Sequence, residues 1–486
     1  MPDPVLVGIG VAAQREDDPR LAMDPLALMT RAARLAGQDS GAPDLLRVLD
    51  RIMVPKGRWT HNDPGRAIAA ALGSRGAKTV LSTVGVLQQT LIGNACAAIA
   101  AGDIETAMVV GGDAGYRLLR ARIAGIELTE PEADGSPDEL LAPKEELRHE
   151  AELRAGLRMP VGLYAMMETA FRARRGYAVD VQRDRVAELY SRFSGIAAQN
   201  PDAWIRKPIP ADFIRNASDR NPMQAFPYTK LLCSSWNVDQ AAALLFCSTA
   251  KAEAMGVPKE RWIYPWASTE SNHMVPVCAR AQLDACQGAR IAGQAAMTPF
   301  GLSPADLDLI ELYSCFPVAV QAYAAELGID LNRDLTVTGG MPFAGGPYNN
   351  YVLQATARMA ALLREGRGRT GLVSSVSGTL TKQGFGLWSA APAEGGFLFA
   401  DVSDVVARVS PVKPVVQDYQ GMATIAGYSV LHDPGQKPRG VAIVDADAGR
   451  RAVVITDNLS VIAQMQATEF SGVHVKVDEG RFDLEA

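Results

Sequence analysis

An apolar strand pattern, a helix pattern rich in small residues and a second apolar strand pattern follow one another between Thr79 and Gly112. The spacing predicts strands over Thr79–Val84 and Thr106–Val110 and a helix over Gln88–Ala101. A strand, a helix and a strand in this order form a right-handed crossover unit. Because the second strand is apolar throughout, we expect it to be buried. This unit favours an α/β fold.

Two regions of the chain show this alternation, and a different pattern separates them. Residues 1–125 and 238–400 each alternate strand and helix patterns, so we interpret them as two halves of one α/β core. Residues 126–237 form a loop or insertion region, which begins with an acidic stretch and continues with long segments rich in Pro, Asn and Ser. Residues 401–486 lack most helix patterns and suggest a small β-barrel of the OB type. The predicted strands of this tail are Val402–Val409, Ala423–Leu431, Gly440–Val444, Arg451–Ile455 and His474–Val477.

The charge and the content of metal-binding residues disfavour several classes of protein. The net charge is −6 and no basic block stands out, which argues against a nucleic-acid partner. No apolar run reaches the ~20 residues that span a bilayer, and the N-terminus lacks the pattern of a signal peptide. We therefore expect no membrane association and a cytoplasmic location. The six cysteines and five histidines show no metal-binding spacing, so we expect no metal site.

Four motifs resemble those of a known family. The segment Thr83–Gly112 resembles the helix that carries the nucleophile of thiolases, together with the strand after it. Glu311–Phe316 resembles the family's NEAF motif, Gly339–Asn349 its glycine-rich loop, and Val373–Thr381 its last active-site strand. The tail resembles the added domain of the thiolase-like proteins of type 1. The resemblance implies a five-layered α-β-α-β-α fold with a duplicated core, a loop insertion and a C-terminal OB-like barrel.

The resemblance also implies a chemistry. In this family a cysteine at a helix N-terminus takes the acyl group of a CoA thioester, and a histidine deprotonates that cysteine. The family's positions for the cysteine, the histidine, the NEAF asparagine and a second cysteine fall on Gly85, Gly346, Tyr313 and Ser375. The implied function is that of a CoA-thioester-binding protein, similar to acetyl-CoA acetyltransferases, that lacks the nucleophilic cysteine. Two alternatives stay open: a tyrosine-dependent retro-aldol lyase acting on a β-hydroxyacyl-CoA, and a non-catalytic acyl-CoA-binding or scaffold protein.

Tyr313 is the principal candidate for catalysis, because a buried phenol in a hydrogen-bond chain can move a proton. We expect its side chain to point toward the N-terminus of the Gln88–Ala101 helix and toward Gly346. The alternative is a core tyrosine bonded to a backbone carbonyl. The further catalytic candidates are Tyr348, as a second tyrosine near the Gly346 position, and His273 and Cys315, each of which has an inert structural role as its alternative.

Ligand-binding candidates come from glycines and arginines. CoA or an acyl-CoA is the expected substrate or ligand, with no tightly bound cofactor, and the chain is expected to form a homodimer or a monomer. Arg172, Arg174 and Arg175 either meet the phosphates of CoA or form a solvated face. The glycines expected to bring backbone close to a ligand are Gly111, Gly112, Gly339, Gly340 and Gly345.

Overall fold

The computed structural model describes residues 3–130 and 135–484. The strands, in chain order, are β1 (Pro4–Gln14), β2 (Arg51–Pro55), β3 (Lys78–Ser82), β4 (Thr106–Ala114), β5 (Glu139–Leu141), β6 (Met223–Ala225), β7 (Tyr228–Thr229), β8 (Asp239–Ser248), β9 (Tyr264–Ser271), β10 (Leu309–Glu311), β11 (Thr370–Ser377), β12 (Lys382–Ser389), β13 (Leu398–Asp401), β14 (Gly421–Leu431), β15 (Arg439–Asp445), β16 (Arg451–Thr456), β17 (His474–Asp478) and β18 (Arg481–Leu484).

The α-helices are, in chain order, α1 (Pro25–Asp39), α2 (Pro64–Leu72), α3 (Gln88–Ala101), α4 (Gly115–Ala124), α5 (Glu150–Arg154), α6 (Pro160–Arg174), α7 (Val179–Gln199), α8 (Ala211–Arg215), α9 (Thr249–Ala254), α10 (Gln287–Met297), α11 (Pro317–Leu327), α12 (Met341–Ala344), α13 (Tyr351–Arg364), α14 (Ser403–Val409) and α15 (Leu459–Ala467).

Two sheets of the same design form the core. The first has the order β1-β8-β4-β2-β3-β5, and the second has the order β10-β11-β12-β9-β13. The run β1-β8-β4-β2 contains two antiparallel pairings and then a parallel one, and the run β9-β12-β11-β10 repeats this arrangement. The predicted α/β alternation on both sides of the insertion is thus present. The exact domain boundaries stay predictions.

Two helices lie between the sheets. Helices α3 and α13 each contact strands of both sheets, whereas α1 packs on the first sheet and α10 on the second. Helix α3 has the bounds predicted from the sequence, and it ends at Gly102, whose φ of +79° is readily adopted only by glycine. Because α3 is enclosed on both sides, its N-terminus has a fixed position at the ends of the two sheets.

The C-terminal region contains a closed five-stranded barrel. Strands β14, β15, β16, β18 and β17 pair in a ring, because β14 bonds to both β15 and β17. The barrel also contacts the insertion region, since α6 packs on β14 and Leu431 pairs with Ala225 of β6. The predicted small barrel is therefore confirmed.

One of the strands predicted for the tail is wrong. The segment Val402–Val409 forms the short helix α14 instead of a strand, and the fifth barrel strand is β18. Val406 is buried in α14, whereas Val405 and Val409 are largely exposed. A run of valines favours a strand only where neighbouring strands pack on it, and here the segment packs on α10 and β9. Just before it, β13 pairs with β9 of the second core sheet.

Arg172 of α6 joins the insertion region to the barrel domain. Its guanidinium is buried and donates hydrogen bonds to Tyr428 Oη (2.6 Å) and to both carboxylate oxygens of Glu469 (3.0 Å each). Both interpretations of Arg172 from the sequence are therefore wrong, because the residue is neither solvated nor free to meet a phosphate. Arg174 is exposed, and the Arg175 guanidinium lies 3.3 Å from the centre of the Phe171 ring.

We expect Arg172→Met to lower the free energy of unfolding by about 2–3 kcal/mol, since charge-assisted hydrogen bonds to Tyr428 and Glu469 are lost. Urea unfolding followed by circular dichroism measures the change. The matched control is Arg174→Met on the exposed face of the same helix, where we expect a change below about 0.5 kcal/mol. Equal effects of the two substitutions would contradict the joining role of Arg172.

Candidate active site

The N-terminus of α3 is the centre of the candidate site, and its first residue is Gln88. The Gln88 Oε1 atom accepts a hydrogen bond from the Val352 N–H group (2.7 Å), and its Nε2 donates to Asn349 Oδ1 (3.2 Å). These bonds tie the start of α3 to the start of α13. Because the N-terminus of a helix carries a partial positive charge, two such termini make this region favourable for a ligand oxygen with negative charge.

Sequence reasoning missed Gln88, although a signal for it existed. The predicted helix begins at this residue. In thiolases, the family that the motifs resemble, the reactive cysteine lies at a helix N-terminus. A glutamine side chain has no motif of its own, and the motif of the resemblance instead marks Gly85, three residues earlier.

Tyr313 lies beside Gln88. The residue is 8% exposed, and its ring meets the Tyr351 ring edge-on with 5.6 Å between ring centres. Its backbone N–H donates to Ser374 Oγ (2.8 Å). Burial raises the pKa of the Tyr313 phenol, the nearby Cys315 adds to the rise, and a hydrogen bond with Gln88 opposes it. Within the described part of the chain, no backbone carbonyl accepts from the Tyr313 hydroxyl. The phenol therefore keeps its proton at neutral pH, and it lies near Gln88 at the start of α3.

A buried carboxylate fixes the ring that packs on Tyr313. Glu311 accepts hydrogen bonds from Tyr351 Oη (2.5 Å) and from the backbone N–H groups of Val337 (2.8 Å) and Thr338 (2.9 Å). Burial raises the pKa of Glu311, and its donors, Tyr351 first, oppose the rise. Since the carboxylate is well supplied with donors, it holds Tyr351 in one orientation.

Several buried polar atoms around this centre have no partner among the described residues. They are Gln89 Oε1, Asn349 Nδ2, Asn350 Oδ1 and Nδ2, and Ser375 Oγ. Buried polar groups in native proteins are nearly always hydrogen-bonded. Asn349 is bonded to Gln88, and the Gln89 and Ser375 side chains both approach Gly384, so these atoms surround the start of α3. They indicate a place for water or for polar groups of a ligand.

None of the six cysteines is poised to act as a nucleophile. Burial raises the pKa of every one of them, to about 12 for Cys315. The attacking species is the thiolate, and these thiols are protonated at neutral pH. Cys315 lies near Tyr313, as its effect on the tyrosine pKa indicates, but it is an inert thiol here.

The positions Gly85 and Gly346 leave no room for the side chains that the family uses. A Cβ atom on Gly85 would lie 2.9 Å from Pro143 Cγ and 2.9 Å from Leu147 Cδ1, and the φ angle of Gly85 is +103°. A Cβ atom on Gly346 would lie 2.3 Å from Ser234 Oγ. Cysteine at the first position and histidine at the second would both require the surrounding structure to move.

Tyr348 and His273 lie in other surroundings. The Tyr348 ring is 5.9 Å from the Arg58 guanidinium, and its backbone has a φ of +50°. His273 lines a cavity of about 40 Å³ together with Arg280 and Gln383. The structure thus brings Tyr313, Cys315 and Ser375 to the region around the start of α3, whereas the contacts of Tyr348 and His273 lie elsewhere.

The predicted glycines approach protein groups. A Cβ on Gly111 would lie 2.5 Å from Asn350 Oδ1, and a Cβ on Gly112 would contact Ala241 of the adjacent strand. A Cβ on Gly339 would contact Ala197, one on Gly340 would contact Phe193, and one on Gly345 would contact Gln240. Close packing within the protein therefore requires glycine at these positions. Contact with a ligand stays a prediction, and of the five, Gly111 lies against the unpartnered Asn350.

The fold has close counterparts among solved structures. A crystal structure of a monomeric SCP2-thiolase-like protein type 1 from Mycobacterium smegmatis matches with a TM-score of 0.84 and 26% sequence identity over 99% of this chain and 99% of that one. The chain belongs to the thiolase superfamily. The fold predicted from the four motifs, a thiolase-like α/β core, is confirmed.

Two further proteins are similar over smaller parts. The structure of an Ltp2-ChsH2(DUF35) aldolase matches with a TM-score of 0.61 and 18% identity over 80% of this chain and 98% of that chain, which shows a common fold. An acetyl-CoA acetyltransferase from Methanocaldococcus jannaschii is 31% identical over 104 residues, which are 21% of this chain and 26% of that protein. The chain thus matches about a quarter of the length of this relative. No family model matches the sequence.

Residues 3–130 and 135–484 contain no group of three or more His, Cys, Asp or Glu side chains arranged to hold a metal ion. In the same part of the thiolase-like chain, every helix is too short or too polar to cross a bilayer.

We expect the native protein to react with iodoacetamide at neutral pH at least ~10-fold more slowly than the urea-unfolded protein, because burial keeps all six thiols protonated and covered. Mass spectrometry of timed samples measures the rate at each cysteine. Fast, stoichiometric alkylation of one cysteine in the native protein would contradict this account, and Cys315 is the position to inspect first.

Proposed function

We propose that this protein binds a CoA thioester and acts on its acyl group without forming an acyl-cysteine, as a cysteine-free relative of the acyl-CoA acyltransferases. The observation that carries the proposal is the position of the buried Tyr313 near Gln88 at the N-terminus of α3, in a protein whose six thiols all have raised pKa values. Superfamily membership and the similarity to an acetyl-CoA acetyltransferase and to a thiolase-like protein support the ligand class.

The proposed role of this pair is to hold the thioester carbonyl. The amide of Gln88 and the phenol of Tyr313 are both donors, and the α3 N-terminus adds its positive end. Donors fixed in a water-poor site stabilise the oxyanion that forms when a thioester is attacked. Burial raises the pKa of Tyr313, so the phenol keeps its proton at neutral pH and serves as a donor or general acid.

The two alternatives have less support. A retro-aldol lyase needs a second acid–base group facing Tyr313, and the ring of Tyr348, its proposed partner, lies by Arg58 instead. The likeness to an aldolase structure carries the fold alone. A non-catalytic acyl-CoA-binding protein would share the binding site and differ only in turnover.

Finer features of the architecture are also proposals. Around the barrel the strands follow the order β14, β15, β16, β18, β17. Helix α15 lies in the chain between β16 and β17, and β16 pairs with β18 in parallel. This arrangement supports an OB-type barrel. The positions of α1, α3, α13 and α10 around the two sheets support five layers. A cytoplasmic location, the absence of a tightly bound cofactor and the choice between monomer and homodimer stay predictions.

Titration calorimetry with acetyl-CoA, CoA and 3′-phosphoadenosine tests the proposal. We expect acetyl-CoA to bind, and Gln88→Leu to weaken its binding by roughly 10-fold through the loss of a carbonyl donor. The same substitution should change the affinity for 3′-phosphoadenosine little, because that probe lacks the acyl end. Failure of the unmodified protein to bind any CoA compound would contradict the proposal.

We expect Tyr313→Phe to lower acyl-group turnover by about 10²–10⁴-fold, the usual worth of one proton-transfer group. The matched control is Tyr323→Phe, because Tyr323 is also buried but its hydroxyl donates to the backbone carbonyl of Ser375 (3.1 Å). The control should lose ~1 kcal/mol of stability and keep its turnover. Chromatographic assay of acyl-CoA consumption gives both rates, and equal turnover in the two variants would exclude a chemical role for Tyr313.

A further inference from the structure

A small chamber lies beside a wider surface groove, near the turn between β11 and β12. The chamber has a volume of about 40 Å³, which is room for about three water molecules or one small organic acid. The groove has a volume of about 470 Å³ and includes Val412 and Val415 of the linker that leads to the barrel. His273 and Val275 line both cavities. The groove therefore gives a ligand a path from solvent to the chamber.

The chamber lies on the outer face of the second sheet. A Cβ on Gly384 of β12 would contact Gln89 of α3, so this residue faces the inner helix. Side chains alternate along a strand, and Gln383 therefore points to the opposite face, where α10 packs. In agreement with this direction, a Cβ on Gly288 in the first turn of α10 would lie 2.1 Å from Gln383 Oε1. The chamber is thus separate from the candidate site at the start of α3.

Arg280 lines the chamber as a buried cation, with 7% of its surface exposed. Its guanidinium donates to three backbone carbonyls of the neighbouring loops and to Met167 Sδ, so no Asp or Glu side chain of the described residues forms an ion pair with it. Burial lowers the pKa of Arg280 to about 10, and Cys286 and Glu152 oppose the fall. A buried charge without a counter-ion is costly, so an anion in the chamber would stabilise it.

Further polar groups at the chamber lack partners. Gln383 is 2% exposed, and its Nε2 donates to a backbone carbonyl (3.0 Å), whereas its Oε1 has no partner among the described residues. The same holds for the buried His273 Nε2. Helix α10 begins at the chamber with Gln287 and Gly288, and its N-cap residue Cys286 supplies no side-chain cap. The chamber thus offers donors to an anionic group and, at Gln383 Oε1, an acceptor for a hydroxyl.

We propose that the chamber binds a small hydroxycarboxylate of the size of lactate. The carboxylate meets Arg280 and the start of α10, and the hydroxyl donates to Gln383 Oε1. One guanidinium matches the single charge of a carboxylate, and Leu380 and Val406 in the chamber wall accommodate the carbon atoms. This site does not depend on the proposed function, because it lies on the opposite face of the sheet from α3.

Ligand-observed NMR titrations of the full-length protein with lactate, propionate and lactamide test the proposal. Propionate lacks the hydroxyl, and lactamide lacks the charge. We expect lactate to bind, and lactamide to bind at least ~10-fold more weakly because charge-assisted hydrogen bonds are lost. Gln383→Leu should weaken the binding of lactate by roughly 10-fold and leave that of propionate unchanged. The matched control is Gln354→Leu, since Gln354 in α13 is another buried glutamine whose Oε1 has no partner among the described residues.

The comparison of ligands decides the result even if Gln383→Leu does not fold. Absence of lactate binding means that the chamber holds only water, and it overturns the proposal. Equal affinities for lactate and lactamide, or a higher affinity for inorganic phosphate than for lactate, overturn the role of Arg280 as a carboxylate partner. Equal effects of a folded Gln383→Leu variant on lactate and propionate exclude the hydroxyl contact.

A competition experiment separates this site from the proposed function. We expect acetyl-CoA to leave lactate bound, and Gln88→Leu to leave the affinity for lactate unchanged. Displacement of lactate by acetyl-CoA would place lactate at the start of α3 and overturn the separate chamber site. Failure of acetyl-CoA to bind, with lactate still bound, would contradict only the proposed function.

Discussion

The placement of α3 between the two sheets is the constraint on which the site depends. Small residues let the helix approach both sheets closely: a Cβ on Gly93 would come within 2.6 Å of Ser268 Oγ, and one on Gly384 of β12 within 2.9 Å of Gln89 Cβ. A helix packed this tightly cannot shift without breaking contacts on both faces. Its first turn therefore presents Gln88 on one side and Thr90 on the other, each in a fixed position.

Buried carboxylates set the orientation of the groups on both sides of this turn. Glu311 holds Tyr351 against Tyr313 on the first side, and Glu270 meets Thr90 on the second. A buried carboxylate is costly unless donors surround it, and each of these two accepts several hydrogen bonds from neighbouring protein groups. The hydrogen bond between Glu311 and Tyr351 thus also fixes the ring that packs on Tyr313.

The α/β core and the barrel could be predicted from the sequence, but some elements could not, for identifiable reasons. Helix α3 was predicted with its correct bounds because its apolar pattern ends at a glycine. Strand β12 was missed because Gly384 and Gly386 look like turn residues, although the close approach of α3 explains the first of them. The valines of α14 have a high strand propensity, which predicted a strand, but the segment packs on α10 as a helix.

Pairs of distant residues explain the rest of what the sequence could not predict. Thr90 and Glu270 are 180 residues apart, and Gln88 and Asn349 are 261 apart. Nothing in the local sequence around any of these residues indicates its partner. Likewise, Arg172 meets Glu469 only because α6 packs on the barrel, so a basic run that is usually solvated contains a buried arginine paired with a partly exposed glutamate. Motif comparison located Tyr313, because that residue lies within a contiguous motif.

The most direct test of the central claim is the electron density of crystals soaked with a non-hydrolysable acyl-CoA analogue. We expect the acyl end to lie at the start of α3, with its carbonyl oxygen ~3 Å from the Gln88 amide nitrogen or the Tyr313 hydroxyl, the range of a hydrogen bond. A carbonyl found away from α3, or seated against a cysteine sulfur, would contradict it.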